Sequence, residues 1–204
     1  MELLSRDLVL ASASPRRKMI LETAGFPITV HPTKVSENLE ENLREKLTIS
    51  EQIIEIARRK ARAGFNSLMS IKKAPFIVIG ADTLVILDNE VLGKPVDSED
   101  AEKTLHRLSG RWHEVRTSIV IIDSVSHNET AGIESTRVLF KELTSEQIKA
   151  YVASGDPMDK AGSYGIQNLQ DSFVEKLEGR LDNVIGLSLL LFNRLLKMQR
   201  EPLH

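Results

Sequence analysis

Residues 8–18 read LVLASASPRRK, and no other stretch constrains the fold of this chain as much. Leu8, Val9 and Leu10 form an apolar run suited to a buried strand. Ser12, Ser14, Pro15, Arg16, Arg17 and Lys18 follow directly. Proline is favoured at the first position of a helix, where its missing N–H would have no partner anyway, and serine just before it is a good N-cap. The spacing predicts a helix through Met19, Ile20, Leu21 and Ala24, stopped by Gly25. A strand handing over to a helix in this way sets hydroxyls and cations beside free backbone N–H groups and the positive end of the helix dipole, a natural anion site and above all a phosphate site. Ser-Pro before a helix is also common in its own right, and Arg17 and Lys18 read equally well as solvated side chains. Neither a GxxxxGK[ST] P-loop nor a GxGxxG dinucleotide turn is present.

The length of 204 residues suits one large domain or two closely joined lobes, and a hydrophobic content of 41% is enough for a proper core. A formal net charge of -2 argues against a protein that holds nucleic acid mainly through its overall field and leaves only a local basic patch for that role. With Cys 0 there is no disulfide framework, thiolate metal site or cysteine nucleophile. Arg6 and Asp7 interrupt any apolar signal core, and no apolar stretch is long enough to span a bilayer. The expectation is a soluble cytoplasmic protein with no membrane or nucleic-acid partner.

Along the chain, residues 28–32 read as a second short strand and 38–49 as an exposed acidic connection. Ser50 is placed to cap a helix over 51–63 with Ile53, Ile54, Ala57 and Ala61 on its apolar stripe. Arg58, Arg59, Lys60 and Arg62 fill its later turns, where cations usually complement the dipole from the surface. Residues 67–74 read as a polar loop. Residues 75–87 then form a strand leading to a hairpin turn at Asp88–Glu90. Asp82 is the odd residue in that run. A carboxylate there costs several kcal/mol unless a cation, a metal or hydrogen bonds satisfy it, and Lys94 after Gly93 is one candidate partner. Alternatively, Gly80 makes a bulge and Asp82 accepts backbone N–H bonds.

A helix over 97–108 closed by Gly110, two antiparallel strands over 113–123 and 130–141, and a helix opened by the Thr144/Gln147 capping box come next. Residues 156–171 look irregular, with Gly162 and Gly165 flanking Ser163 and Tyr164 so that a ligand or a packed core could approach closely. Trp112 and His113 read as structural. A last strand over 173–177 leads to a final apolar helix, expected to be buried on more than one side. Strands and helices alternate at first and the second half is more antiparallel. This gives an α/β protein with a mixed central β-sheet flanked by helices, in a single domain over 1–204.

In order and spacing, the blocks LASASPRR, Glu37, GADT at 80–83, LGKP at 92–95, LSGR at 108–111, AGSYGIQ at 161–167 and NVIGL at 183–187 resemble the Maf (septum formation inhibitor-like) nucleotide pyrophosphatases over nearly the whole chain. The resemblance implies an elongated two-lobed fold like the inosine-triphosphate pyrophosphatases. It implies hydrolysis of a nucleoside triphosphate to monophosphate and pyrophosphate, a divalent metal (Mg²⁺ or Mn²⁺) and a homodimer. Asp82 matches the catalytic acidic residue, and Ser12, Arg17, Glu37, Lys60 and Lys94 match other polar residues of the cleft. Arg16, Thr83 and Gln167 match positions linked to substrate choice, with identities that look like the dTTP/UTP branch rather than the 7-methyl-GTP branch. In the chemistry this suggests, Ser12, Ser14 and the helix N-terminus hold phosphate oxygens. Arg17, Lys60 and Lys94 offset charge, and Glu37 and Asp82 hold the metal. Asn168 and Ser188 depart from the family's usual glycine and proline. A non-catalytic regulator that binds a nucleotide without turnover is the alternative from another class.

Overall fold

The computed structural model describes residues 6–71, 75–169 and 172–199. Residues 72–74, part of the expected loop, and 170–171, the end of the expected irregular stretch, lie outside them. The chain divides into two compact units, one holding residues up to Asp82, Thr117–Glu134 and those from Gly186, the other Thr83–Arg116 and Ser135–Ile185.

In the first unit, β1 (Asp7–Leu10) runs parallel to β2 (Ile28–Val30) on one side and to the start of β3 (Phe76–Leu87) on the other. Between β1 and β2 lies α1 (Pro15–Thr23), capped by Ser14 with Pro15 at its start, as the sequence predicts. A short α2 (Glu41–Arg44) interrupts the acidic connection. The helix expected over 51–63 is longer: α3 covers Ile49–Ile71. Thr48, not Ser50, sets its start: Thr48 Oγ1 accepts from Glu51 N at 3.3 Å while Glu51 Oε2 accepts from Thr48 N at 2.8 Å, a reciprocal capping box. Gly64 does not end it, because a Cβ there would lie 2.9 Å from Ala11 Cβ. Tertiary packing on the strand outweighs the weak helix propensity of glycine.

Gly80 on β3 has the complementary role. A Cβ at Gly80 would lie 2.3 Å from Ala57 O and 2.6 Å from Ala61 N. Its glycine identity answers to the close approach of α3 rather than to a bulge. Ala57 and Ala61 also pack on Val120 and Ile122 of β5 (Trp112–Asp123), where Ser118 Oγ donates to Ile53 O at 2.9 Å. Burial along β5 therefore changes character: alternate residues are buried from His113 to Thr117, and every residue from Thr117 to Asp123.

In the second unit, β3 turns through Asp88 and Asn89 (φ 50° and 65°) into β4 (Glu90–Leu92), with Leu87 opposite Glu90. Two consecutive left-handed residues make the primed turn that matches strand twist. Asp97 caps α4 (Ser98–Leu108), and the Thr144/Gln147 box opens α5 (Ser145–Ala153). Short 3₁₀ turns at Asp156–Asp159 and Ala161–Ser163 precede α6 (Ile166–Leu169). β6 (Glu129–Phe140) pairs antiparallel with β7 (Val174–Glu178), and α7 (Leu181–Ile185) follows. The sheet order is β2-β1-β3-β5-β6-β7 with β4 beside β3, a mixed sheet as expected.

The final helix departs from expectation. Gly186 (φ 132°) breaks it, and α8 (Leu189–Met198) restarts with Ser188 as N-cap, its hydroxyl accepting from Leu191 N at 3.2 Å. α8 buries one face, Leu191, Phe192, Leu195 and Leu196, while Leu190 is 58% exposed. Among the described residues no helix is long and apolar enough to cross a membrane.

His113 is structural. Its Nε2 lies 2.7 Å from the Tyr164 hydroxyl and its ring meets Phe140 edge-on. Burial pushes its imidazole down from 6.5 to about 4. The folded state therefore holds the ring neutral where the unfolded chain would protonate it, so stability from this group is full above pH 6.5 and is lost as pH falls towards 4. Urea unfolding of the wild type against His113→Gln should show a difference that changes by about 3 kcal/mol across that window; a constant difference would contradict the assignment. Separately, Gly80→Ala should destabilise by about 3 kcal/mol or more. Gly93→Ala, with nothing within 4 Å of the added carbon, should stay within about 0.5 kcal/mol of wild type.

Candidate active site

Asp82 lies two residues beyond Gly80 on β3, on the same face of the strand, which is the face α3 covers. On α3, Lys60 lies three residues after Ala57 and four before Gly64, within the stripe that packs on the strand. The close approach that Gly80 permits brings these two together: Lys60 Nζ donates to Asp82 Oδ1 at 2.7 Å. The same ammonium donates to Glu37 Oε1, also at 2.7 Å. The Lys60 and Asp82 side chains are 9% and 8% exposed, and Glu37 is 45% exposed. The cation that Asp82 required is thus Lys60.

The expectation that the α3 cations complement a helix end fails for a simple reason. The helix runs on to Ile71, so residues 58–62 lie in its middle. Arg58 and Arg62 bond Glu129, and Arg59 bonds Glu55, in part-exposed pairs. Lys60 alone of the four is buried.

The start of α1 supplies a second cluster. Ser12 Oγ accepts from Ser14 N at 3.2 Å and from Arg17 Nη1 at 3.1 Å, while Arg17 Nε donates to Gly186 O at 2.9 Å. Ser14 Oγ accepts from Arg17 N at 3.5 Å as the cap. Arg17 is buried rather than solvated, whereas Lys18 is exposed beside Glu22. Burial lowers the proton affinity of the Arg17 guanidinium, Asp82 and Glu37 pull it back up, and Arg16 opposes them. Both carboxylates and Arg16 are therefore near enough to act on Arg17 electrostatically.

The structure thus gathers Ser12, Ser14, Arg16, Arg17, Glu37, Lys60 and Asp82 in the first unit. Thr83, Lys94 and Gln167 belong to the second: Thr83 is half-buried, and Lys94 and Gln167 are exposed. The glycines around Ser163 serve the protein's own packing, since a Cβ on Gly162 (φ 67°) would meet Val85 at 2.8 Å and one on Gly165 would meet Lys160 Cε at 2.7 Å. Nothing in the sequence pattern singles out Tyr151, Asp156 and Lys160, yet they form a hydrogen-bonded group beside Gly165.

Among the described residues no three histidines or carboxylates converge to cage a metal. Glu37 and Asp82 offer hard oxygens to one shared cation, Lys60, which engages one oxygen of each. Such a pair fits a Mg²⁺-like ion that keeps water ligands and takes others from phosphates, not a closed protein site.

Removing the ammonium leaves a buried carboxylate uncompensated, so Lys60→Met should cost about 3–5 kcal/mol of stability. A double-mutant cycle by denaturant unfolding checks the pairing. Lys60→Met combined with Asp82→Asn should cost less than the sum of the two single changes, and strict additivity would rule out the pairing.

Residues 7–199 match the family described as Maf-like protein. The chain is 45% identical over 189 residues to the dTTP/UTP pyrophosphatase of Bdellovibrio bacteriovorus, covering 93% of this chain and 96% of that one. It is 44% identical over 183 residues to the dTTP/UTP pyrophosphatase of Desulfitobacterium hafniense, covering 89% and 80%. In fold it is similar to the Staphylococcus aureus Ham1 protein, with a TM-score of 0.51 at 14% identity, covering 95% of this chain and 100% of that chain. A family match over almost the full length, with relatives this similar, places the chain in the Maf-like protein family.

Proposed function

We propose that this protein hydrolyses dTTP and UTP between the α- and β-phosphates, releasing pyrophosphate and the nucleoside monophosphate. The observation that carries the reading is the buried Lys60 ammonium shared by Glu37 and Asp82, two carboxylates that also act electrostatically on Arg17 at the start of α1. Attack on a phosphoanhydride needs an activated water, neutralisation of growing negative charge and a stabilised pyrophosphate leaving group. Ser14, the α1 N-terminus and Arg16 are suited to hold phosphate oxygens, and Arg17, Lys60 and Lys94 to offset the charge. Lys60 takes Asp82 Oδ1, which leaves Oδ2 to accept the proton of the attacking water or to coordinate a cation. Both jobs at full strength conflict, because coordination lowers basicity.

Glu37 and Asp82 would hold Mg²⁺ or Mn²⁺, which when bound supplies charge neutralisation on the phosphates and a more acidic water. Gln167 presents a donor and an acceptor together, matching the imide edge that uracil and thymine share, and its exposure leaves that edge accessible. The names of the relatives support the same nucleotides. Family resemblance further supports a homodimer working in the cytoplasm.

Pyrophosphate release should be fast with dTTP and UTP in the presence of Mg²⁺ or Mn²⁺, and Asp82→Asn should slow it by about 10²–10⁴-fold. Activity confined to 7-methyl-GTP would keep the chemistry and overturn the substrate. A folded protein silent on every triphosphate and metal would favour a non-catalytic nucleotide-binding regulator. If Asp82→Asn retains the metal affinity of the nucleotide complex, Asp82 is the base; if that affinity falls with turnover, it is the ligand.

A further inference from the structure

We infer that Tyr151, Asp156 and Lys160 position Gln167, and thereby set how strictly the protein discriminates among bases. This rests on the reading of Gln167 given above. Tyr151, at the buried face of α5, donates its hydroxyl proton to Asp156 Oδ2 at 2.6 Å and accepts from the backbone N–H of Gly165 at 2.9 Å. Lys160 Nζ donates to the other Asp156 oxygen at 3.0 Å, to the Asp156 carbonyl at 2.5 Å and to Asp159 Oδ1 at 2.7 Å. The Lys160 side chain is only 10% exposed, and its stem fills the space a Gly165 side chain would need.

The anchors fall on consecutive residues. Tyr164 is tied to His113, Gly165 to Tyr151, and Ile166 is buried in the core of the second unit. Gln167 is the next residue and is exposed. Its backbone is therefore fixed on the N-terminal side at three successive positions. Burial and the bond to Asp156 push the Tyr151 phenol well above its ordinary range, so the hydroxyl remains a donor at neutral pH. Burial disfavours the Asp156 carboxylate, but the Tyr151 and Lys160 bonds outweigh it and hold its proton affinity below the ordinary range. A part-buried ion pair of this kind is weak as a source of stability, and here it ties Asp156 to Lys160 and Tyr151 beside Gly165.

The test compares kcat/KM for UTP and CTP in Tyr151→Phe, Gln167→Ala and the double variant. Phenylalanine keeps the ring contact of Tyr151 with Phe173 at 5.4 Å, and Lys160→Gln serves as a second variant should it not fold. Tyr151→Phe should lower the UTP/CTP ratio about three- to tenfold, the size of the neutral hydrogen bond that Tyr151 accepts from Gly165, through KM for UTP rather than kcat. In the Gln167→Ala background it should lower the ratio no further. If Gln167→Ala leaves the ratio unchanged, the reading of Gln167 fails and this inference with it. If Gln167→Ala lowers the ratio but Tyr151→Phe and Lys160→Gln do not, only the positioning role is overturned. Additive losses in the double variant would also overturn it.

Discussion

The bridge from Lys60 to Glu37 and Asp82 is the interaction on which the rest of the first unit depends. A carboxylate and an ammonium are both costly to bury, and neither would remain where it is without the other. Their meeting depends on how near α3 lies to β3. Gly80 removes a side chain from the strand, Gly64 removes one from the helix, and Ala57 and Ala61 keep the helix face thin between them. Any larger residue at these positions would lift α3 and lengthen the 2.7 Å contacts. The small residues are thus the mechanical condition for the charged ones.

A second balance holds at the start of α1. Glu37, Asp82 and Arg16 all act electrostatically on Arg17 there. Arg17 uses its fork on Ser12 and the Gly186 carbonyl, so its head is held in place before any anion arrives. A charge fixed in advance costs little reorganisation when negative charge develops, which is the physical basis of electrostatic catalysis at phosphate. Gly186 enters this arrangement through its carbonyl, and the break it makes before α8 leaves that carbonyl outside helical hydrogen bonding.

Much of this was legible in the sequence, and the failures have physical causes. The β1–α1 handover, the Asp88–Asn89 hairpin, the Thr144 capping box and the need of Asp82 for a partner all follow from local chemistry. The identity of that partner does not. Lys60 stands among Arg58, Arg59 and Arg62, and composition cannot say which one of four cations points inward. The face of α3 that packs on β3 decides it, and that face is recognisable only once Gly64 is known to lie inside the helix. The same packing carries α3 past residue 63 to Ile71, which local sequence does not reveal. The loop glycines 162 and 165 mark close approach correctly, but sequence cannot tell whether a ligand or the protein's own Val85 and Lys160 makes it.

The division of the chain gives these observations a common sense. Asp82 is the last residue of its segment of the first unit and Thr83 the first of the second, so the boundary between the units crosses β3 here, one of four places where the chain passes between them. Most of the groups suited to phosphate chemistry, from Ser12 to Asp82, lie on the first side of that boundary, and Lys94 lies on the other. Gln167, the group suited to reading a base, lies on the other, supported by a hydrogen-bonded cluster of its own. Two sites with separate supports can change independently. Tyr151 and Asp156 lie in the second unit and the Lys60 bridge in the first, and each group has hydrogen bonds of its own.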